Sequence, residues 1–401
     1  MCEKIIYRQF LCNRKGMTDM RFMHLADLHI GKKVNEFSML EDQKYILGQV
    51  LDLAHDKKVD GVLIAGDIYD KTVPSVEAVT LFDSFLTKLS EDDIPVYMIS
   101  GNHDSVERVS FGARLMRKSK VYMASEYNGT VEMVSVQDDY GVMDIYLLPF
   151  LKPAYVRAAL GEEAEGIKTY QEAVAYVMGK VKLNRKHRNL LVAHQFVAGA
   201  VTCDSEEHSV GGLDQISTDC FEGFDYVALG HLHGAQTVGS DTVRYAGTLL
   251  KYSFSEVNHK KGVTIVELQE KGKVTVETYP LKPLHDMRKL RGSYEELTRK
   301  MNYDGTDTDD YVQITLTDEE DIFDAVGKLR TIYPNLMKLE YDNTRTRQNK
   351  QMQFSDTTEE KAPIELAEEL FELQNNQPMR DIQREYLQVV MAEIWEKERT
   401  I

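Results

Sequence analysis

Five short apolar runs in this chain each stop at a residue able to hold a metal ion, and this repetition constrains the fold more than any other feature. Arg21–Ala26, Val59–Ala65, Pro95–Ser100, Asn189–Ala193 and Phe224–Leu229 each read as a buried strand. They run at once into Asp27-Leu28-His29, Gly66-Asp67-Ile68-Tyr69-Asp70, Gly101-Asn102-His103-Asp104, His194 and Gly230-His231-Leu232-His233. Continuous apolar runs suit strands covered on both faces. Amphipathic helical stretches alternate with them over the first 280 residues, the pattern of a layered α/β domain. In open α/β sheets ligands sit beyond the carboxyl ends of the strands, so the five loops are expected to meet at one edge.

Each loop alone has an ordinary explanation. Asp or Asn after a strand commonly forms a turn or caps a helix, and a single His194 is commonly a core histidine with its hydrogen bonds satisfied. The combination says more. Asp27 and His29 are spaced to face one ion, and Asp67, after a glycine that permits a sharp exit from its strand, has two carboxylate oxygens with which to bridge a pair. Asn102 is an uncommon ligand type set beside His103. His231 and His233 can address two neighbouring ions. Oxygen and imidazole donors without thiolates favour manganese, iron or zinc over softer ions. Cys2, Cys12, Cys203 and Cys220 are widely separated, so they read as reduced thiols rather than a disulfide framework or a zinc knuckle.

Taken together, D-x-H, G-D-x-x-D, G-N-H-D, H and G-H-x-H resemble the calcineurin-like metallophosphoesterase superfamily. The resemblance implies a metallophosphoesterase β-sandwich flanked by helices. It implies that Asp27, His29, Asp67 and His233 hold one divalent ion and Asp67, Asn102, His194 and His231 a second. His103 would be catalytic, and Asp70 would orient it. Residues 194–212, 224–236 and 244–268 are further similar to the SbcD family, the nuclease subunits of bacterial SbcCD complexes. There Thr248 stands where the Y-x-G motif often continues with Ser. The likeness implies a manganese-dependent DNA nuclease of repair and recombination, exonucleolytic on duplex ends and endonucleolytic on single strands or hairpins. It also implies an SbcC-type coiled-coil ATPase as partner and a homodimer within a heterotetramer. Lys251, Lys260 and Lys261 are the candidate DNA phosphate contacts. The alternative within the superfamily is a small-molecule or cyclic-nucleotide phosphodiesterase, which needs little beyond the core. An architectural subunit with a decayed site is disfavoured because every expected ligand is present.

The remaining length is organised around this core. Residues 1–19 read as an extra N-terminal tail, with translation expected to start at Met20, and residues 20–285 as the nuclease domain. The stretch Tyr279-Pro280-Leu281-Lys282-Pro283-Leu284 interrupts regular structure. Residues 286–343 then read as a small α/β cap: a helix over Ser293–Met301, a strand over Asp310–Thr317, a helix over Glu319–Tyr333 and a strand over Leu336–Tyr341. Residues 344–362 read as a linker, and 363–401 as two amphipathic helices forming a C-terminal helical partner-binding segment. The formal net charge of −17 argues against wholesale DNA wrapping. Part of the excess lies in residues 351–401, with 12 acidic against 5 basic side chains, so DNA must be held by locally placed cations or a partner. No apolar stretch reaches the roughly 18 residues of a membrane span, and a cytoplasmic protein is expected.

Overall fold

The computed structural model describes residues 19–206, 214–347 and scattered positions between 364 and 387. The chain divides after Met287 into two compact units. In the first, β1 (Met20–Leu25), β2 (Gly61–Ala65), β3 (Val96–Ile99) and β4 (Val121–Ala124) run parallel to one another. The chain then builds a second sheet from β5 (Glu132–Asp138), β6 (Gly141–Leu148), β7 (Arg188–His194), β8 (Tyr226–Gly230), β9 (Gln236–Val238) and β10 (Ser240–Tyr245). It returns to the first sheet with β11 (Gly262–Leu268), antiparallel to β1, and β12 (Val274–Pro280). The strand orders are β12-β11-β1-β2-β3-β4 and β9-β10-β8-β7-β6-β5.

Alternation along the strands makes the two sheets a sandwich. Phe22, Leu63, Tyr97 and Ile99 of the first sheet share one buried cluster with Ile145, Leu147, Leu190, Val192 and Tyr226 of the second. Their neighbours Met23, Val62, Ile64 and Met98 are just as buried and point to the opposite face. Each large side chain so enclosed contributes about 1.5–3 kcal/mol, which makes this double burial the main support of the unit. The outer face of the second sheet is covered by α3 (Pro153–Leu160) and α4 (Tyr170–Lys180), introduced in the chain after α1 (Leu40–Asp56) and α2 (Val76–Glu91). One polar pin crosses the sandwich: His24 of β1 places Nδ1 3.0 Å from the Tyr226 hydroxyl and Nε2 3.2 Å from the Leu229 carbonyl.

The five apolar runs are strands as expected, but three belong to one sheet and two to the other. All five are parallel members of their sheets, so their carboxyl ends still emerge on one side.

The second unit is a three-stranded sheet ordered β13 (Met287–Gly292), β14 (Tyr311–Leu316), β15 (Leu336–Tyr341). It is packed with α5 (Tyr294–Thr298) and α6 (Ala325–Arg330) around Val312, Ile314, Leu329 and Leu336. Ser293 and Glu296 close a capping box at the start of α5. The helix expected over Glu319–Tyr333 is much shorter than its pattern. Asp324 adopts a left-handed φ of 50° and caps Gly327, so the helix starts only at Ala325. The strand β13 falls where the prolines suggested a boundary. The linker at 344–362 and the helices at 363–401 lie largely outside the described residues, as does the tail before Asp19.

Candidate metal centre

The strand ends turn sharply to present their side chains. Asp27, His29, Asp67 and His231 all have positive φ (52°, 43°, 50° and 106°), a conformation that costs of order 1–3 kcal/mol per non-glycine residue and persists only when its surroundings enforce it. Here the first two loops brace each other: the amides of Asp27, His29 and Ile30 donate to the carbonyls of Gly66, Asp67 and Ile68 at 3.1, 3.0 and 2.9 Å. Gly66, at φ 85°, leaves room that a Cβ would take from the His194 ring. A Cβ on Gly230 would run into the Ala65 carbonyl.

The side chains gather into two donor groups around Asp67. In one, Nε2 of His29 and Nε2 of His233 face each other at 3.1 Å, with Asp27 beside them. In the other, Asn102 Oδ1 lies 2.9 Å from His194 Nε2 and 3.0 Å from His231 Nδ1. Asp67 Oδ2 stands between, 3.5 Å from His194 Nε2 and 3.7 Å from His29 Nε2. Every one of the seven expected ligands is therefore in the cluster. His103 lies at its edge, its Nε2 3.9 Å from Asp67 Oδ2; its side chain is 20% exposed against 3% for Asp67.

The electronic arrangement fits divalent cations. His194 Nδ1 sits 2.8 Å from the Ala65 carbonyl, an acceptor only, so that nitrogen bears the hydrogen. Its Nε2 faces Asn102 Oδ1, and with the amide in this orientation positive charge between or on the two atoms satisfies them. Protonation can supply it: burial pulls His194 down, but the charge and hydrogen bond of Asp67 outweigh this and raise it to about 9. Burial drives His29 down to about 3 and His233 well below its usual range, which leaves both rings neutral and able to offer a lone pair. Asp27 is pushed well above the usual carboxylate range by burial, helped by the charge of Asp67. Asp67, despite burial, is held well below that range, chiefly by His194. The two carboxylates are crowded in the way a bound cation relieves.

Two sequence expectations require correction. Asp70 meets His103 through its main-chain carbonyl, 3.2 Å from Nδ1, and not through its carboxylate. The Lys32 ammonium, 2.7 Å away, has taken the carboxylate. Lys251 and Lys261 are not free phosphate contacts. Lys251 pairs with Asp286 at 2.8 Å and donates to the Val257 carbonyl. Lys261 is spent on Glu256, Thr248 and the His233 carbonyl. Lys260 is exposed.

Several supporting residues gave no sign of their role in the sequence. Asp104, quoted only as the end of G-N-H-D, accepts the amides of Ile68, Tyr69 and Gly101 at 3.2, 3.1 and 2.9 Å and so locks the second loop to the third. Gln43 of α1 donates to the His29 carbonyl at 2.8 Å and accepts from Gly31, while the Tyr252 hydroxyl donates to the Leu28 carbonyl. Glu206 receives the His233 amide. Asp104 closes a motif, and Glu206 and Tyr252 lie inside segments that resemble the SbcD family without a spacing that marks their role; Gln43 comes from a helix with no local signature.

The calcineurin-like phosphoesterase family matches residues 20–235. A second family, SbcD_C, described as the type 5 capsule protein repressor C-terminal domain, matches residues 283–375. The chain is 32% identical over 324 residues to the SbcD subunit of the nuclease SbcCD of Staphylococcus epidermidis, across 80% of this chain and 85% of that one. It is 33% identical over 324 residues to the SbcD subunit of the same nuclease of Staphylococcus saprophyticus, across 80% of this chain and 84% of the other. Among solved structures, a dimetal phosphatase from Danio rerio overlays 66% of this chain and 98% of its own at 13% identity, with a TM-score of 0.39.

Proposed function

Because this chain belongs to the calcineurin-like phosphoesterases, and among them to the SbcD nuclease subunits, we propose that its metal-dependent phosphodiester hydrolysis runs on two manganese ions held around Asp67. Asp27, His29, Asp67 and His233 would hold one and Asp67, Asn102, His194 and His231 the other. The observation that carries this reading is the gathering of imidazole and oxygen donors on either side of one buried carboxylate, with His29 Nε2 3.1 Å from His233 Nε2, His194 Nε2 2.9 Å from Asn102 Oδ1, and Asp67 Oδ2 3.5 and 3.7 Å from His194 and His29. Divalent ions held by these residues would supply an activated water at neutral pH and charge stabilisation for in-line displacement.

The protein's own part is positional and protonic. Asp67, between the donor groups, is available to both. The Asp70 carbonyl holds the Nδ1 hydrogen of His103, which leaves Nε2 facing the cluster; in the imidazolium form Nε2 carries the second proton and gives it to the leaving oxygen. His103 is the more exposed group, so the scissile phosphodiester approaches from its side.

The substrate in this reading is DNA, cut exonucleolytically at duplex ends and endonucleolytically in single strands or hairpins, with a coiled-coil ATPase as partner. With a net charge of −17, the chain relies on that partner for much of its hold on the phosphate backbone. A homodimer through the first unit is supported by Phe111 and Leu115, which are 85% and 71% exposed just after the His103 loop. Among the described residues no helix is long and apolar enough to cross a membrane.

The test is manganese-dependent cleavage of end-labelled duplex and hairpin DNA by the purified chain, beside His103→Ala and bis-p-nitrophenyl phosphate. Cleavage of DNA that disappears in the variant is the expected result. Hydrolysis of the small ester but never of DNA, even with the ATPase subunit and ATP supplied, would overturn the substrate assignment.

A further inference from the structure

Behind His233 lies a closed ring of hydrogen bonds that the hydrolytic reading does not use. His233 Nδ1 is 2.7 Å from the Ser205 hydroxyl, and that hydroxyl is 2.6 Å from Glu256 Oε1. Glu256 is fully buried, and its Oε2 lies 2.6 Å from the Lys261 ammonium. Lys261 also donates to the Thr248 hydroxyl at 2.6 Å and to the His233 carbonyl at 2.8 Å, which closes the ring on the residue where it began.

The proton count around this ring leaves one solution. Lysine has three hydrogens to give, and all three are engaged. Glu256, facing the ammonium, is an acceptor only, and its Oε1 additionally receives the Tyr252 amide at 3.1 Å. The single Ser205 proton therefore goes to Glu256. The Cys203 thiol, 3.3 Å from the same hydroxyl, has Glu206 Oε1 to donate to. What remains on Ser205 is a lone pair, so His233 must carry its hydrogen on Nδ1 and present the lone pair of Nε2 to the cluster. His29, opposite, is held less directly: its buried Nδ1 makes no hydrogen bond and faces Asp70 Oδ1 at 3.9 Å.

We propose that Ser205, Glu256 and Lys261 are positioning residues that fix both the tautomer and the ring orientation of His233, and thereby set the affinity of one of the two ion positions separately from the other. The inference rests on His233 being an ion ligand. Hydrogen-bond partners behind a metal-binding histidine are commonly worth about 10–100-fold in metal affinity. Of the two histidines at that position, only His233 has its Nδ1 hydrogen-bonded.

The experiment titrates manganese into the full-length chain by calorimetry, with bound metal counted by mass spectrometry, for the wild type, Ser205→Ala, Ser205→Thr and His233→Ala. Ser205→Ala is expected to weaken one ion by roughly 10–100-fold and leave the other within the error of the titration, with Ser205→Thr restoring the lost affinity. Wild-type affinities for both ions in Ser205→Ala, while His233→Ala loses one, would overturn the ring's role but keep the ligand assignment. Two undiminished ions in His233→Ala would overturn the assignment and the inference with it. Equal losses in the alanine and threonine variants would mean a packing defect rather than a hydrogen bond, and would also overturn it.

Discussion

The carbonyl oxygen of Ala65, last residue of β2, lies 2.8 Å from Nδ1 of His194, last residue of β7. This bond joins the two sheets at the point where both deliver donor side chains to the cluster, and Gly230 leaves the space for it. A Cβ at that glycine would strike the same carbonyl. Gly230→Ala should therefore separate the sheets locally and cost about 1–3 kcal/mol. Denaturant unfolding with and without manganese checks this. The variant should also lose most of the stabilisation that the ion gives the wild type, since His194 can no longer be held in place.

Removing the proton donor should be separable from removing ligands. His103→Ala is expected to lower kcat by about 10²–10⁴-fold with two ions still bound, because among the described residues no other group at the cluster's edge is placed to protonate a leaving oxygen. Asp70→Asn keeps the carbonyl that meets His103 and loses the ion pair with Lys32 and the charge 3.9 Å from His29 Nδ1. Its kcat should fall by less than about tenfold, an upper bound well short of losing general acid catalysis. Steady-state kinetics on the same substrate, paired with metal counting, compares the two. A loss in Asp70→Asn as large as in His103→Ala would mean that the carboxylate takes over the orienting role once ions are bound.

Phe111 and Leu115, four residues apart, stand 85% and 71% exposed in the single chain. If they cover each other across two copies, replacing both with glutamate should turn a dimer into a monomer in sedimentation equilibrium. Hydrolysis of a small phosphodiester should survive, because neither residue belongs to the ion cluster.

What the sequence revealed and what it hid divide along a physical line. The strand ends were legible because the apolar run and the ligand motif are contiguous, so local pattern carries both. Assigning Arg21–Ala26 and Phe224–Leu229 to different sheets was not legible, since a strand covered on both faces reads the same in either. Asp70 and Lys261 were misread for a related reason. A carboxylate three residues after a ligand and a lysine near a motif look available until tertiary structure places Lys32 against the first and Glu256 against the second. Gln43 and Ser205 act across sequence gaps that no periodicity marks. The helix predicted over Glu319–Tyr333 is cut to Ala325–Arg330, its late start set by the left-handed Asp324, which interrupts any continuous helical pattern there.

His24 gives the sandwich a pH signature of its own. It is completely buried, and burial holds it at about 3 against the ordinary 6.5, even though the Leu229 carbonyl opposes the shift. Its folded pKa is lower than its unfolded one, so between those values the unfolded chain binds the extra proton. Stability is therefore complete above about 6.5 and declines as pH falls toward 3, by at most about 1.4 kcal/mol per pH unit from this residue. Other buried histidines titrate in the same window, so the test is a difference. Urea unfolding of the metal-free wild type and of His24→Gln, at pH 7 and pH 5, should show a shallower loss in the variant. Glutamine keeps a donor for the Leu229 carbonyl but takes up no proton. Equal slopes would place the acid sensitivity of the fold elsewhere than at the His24–Tyr226 pin.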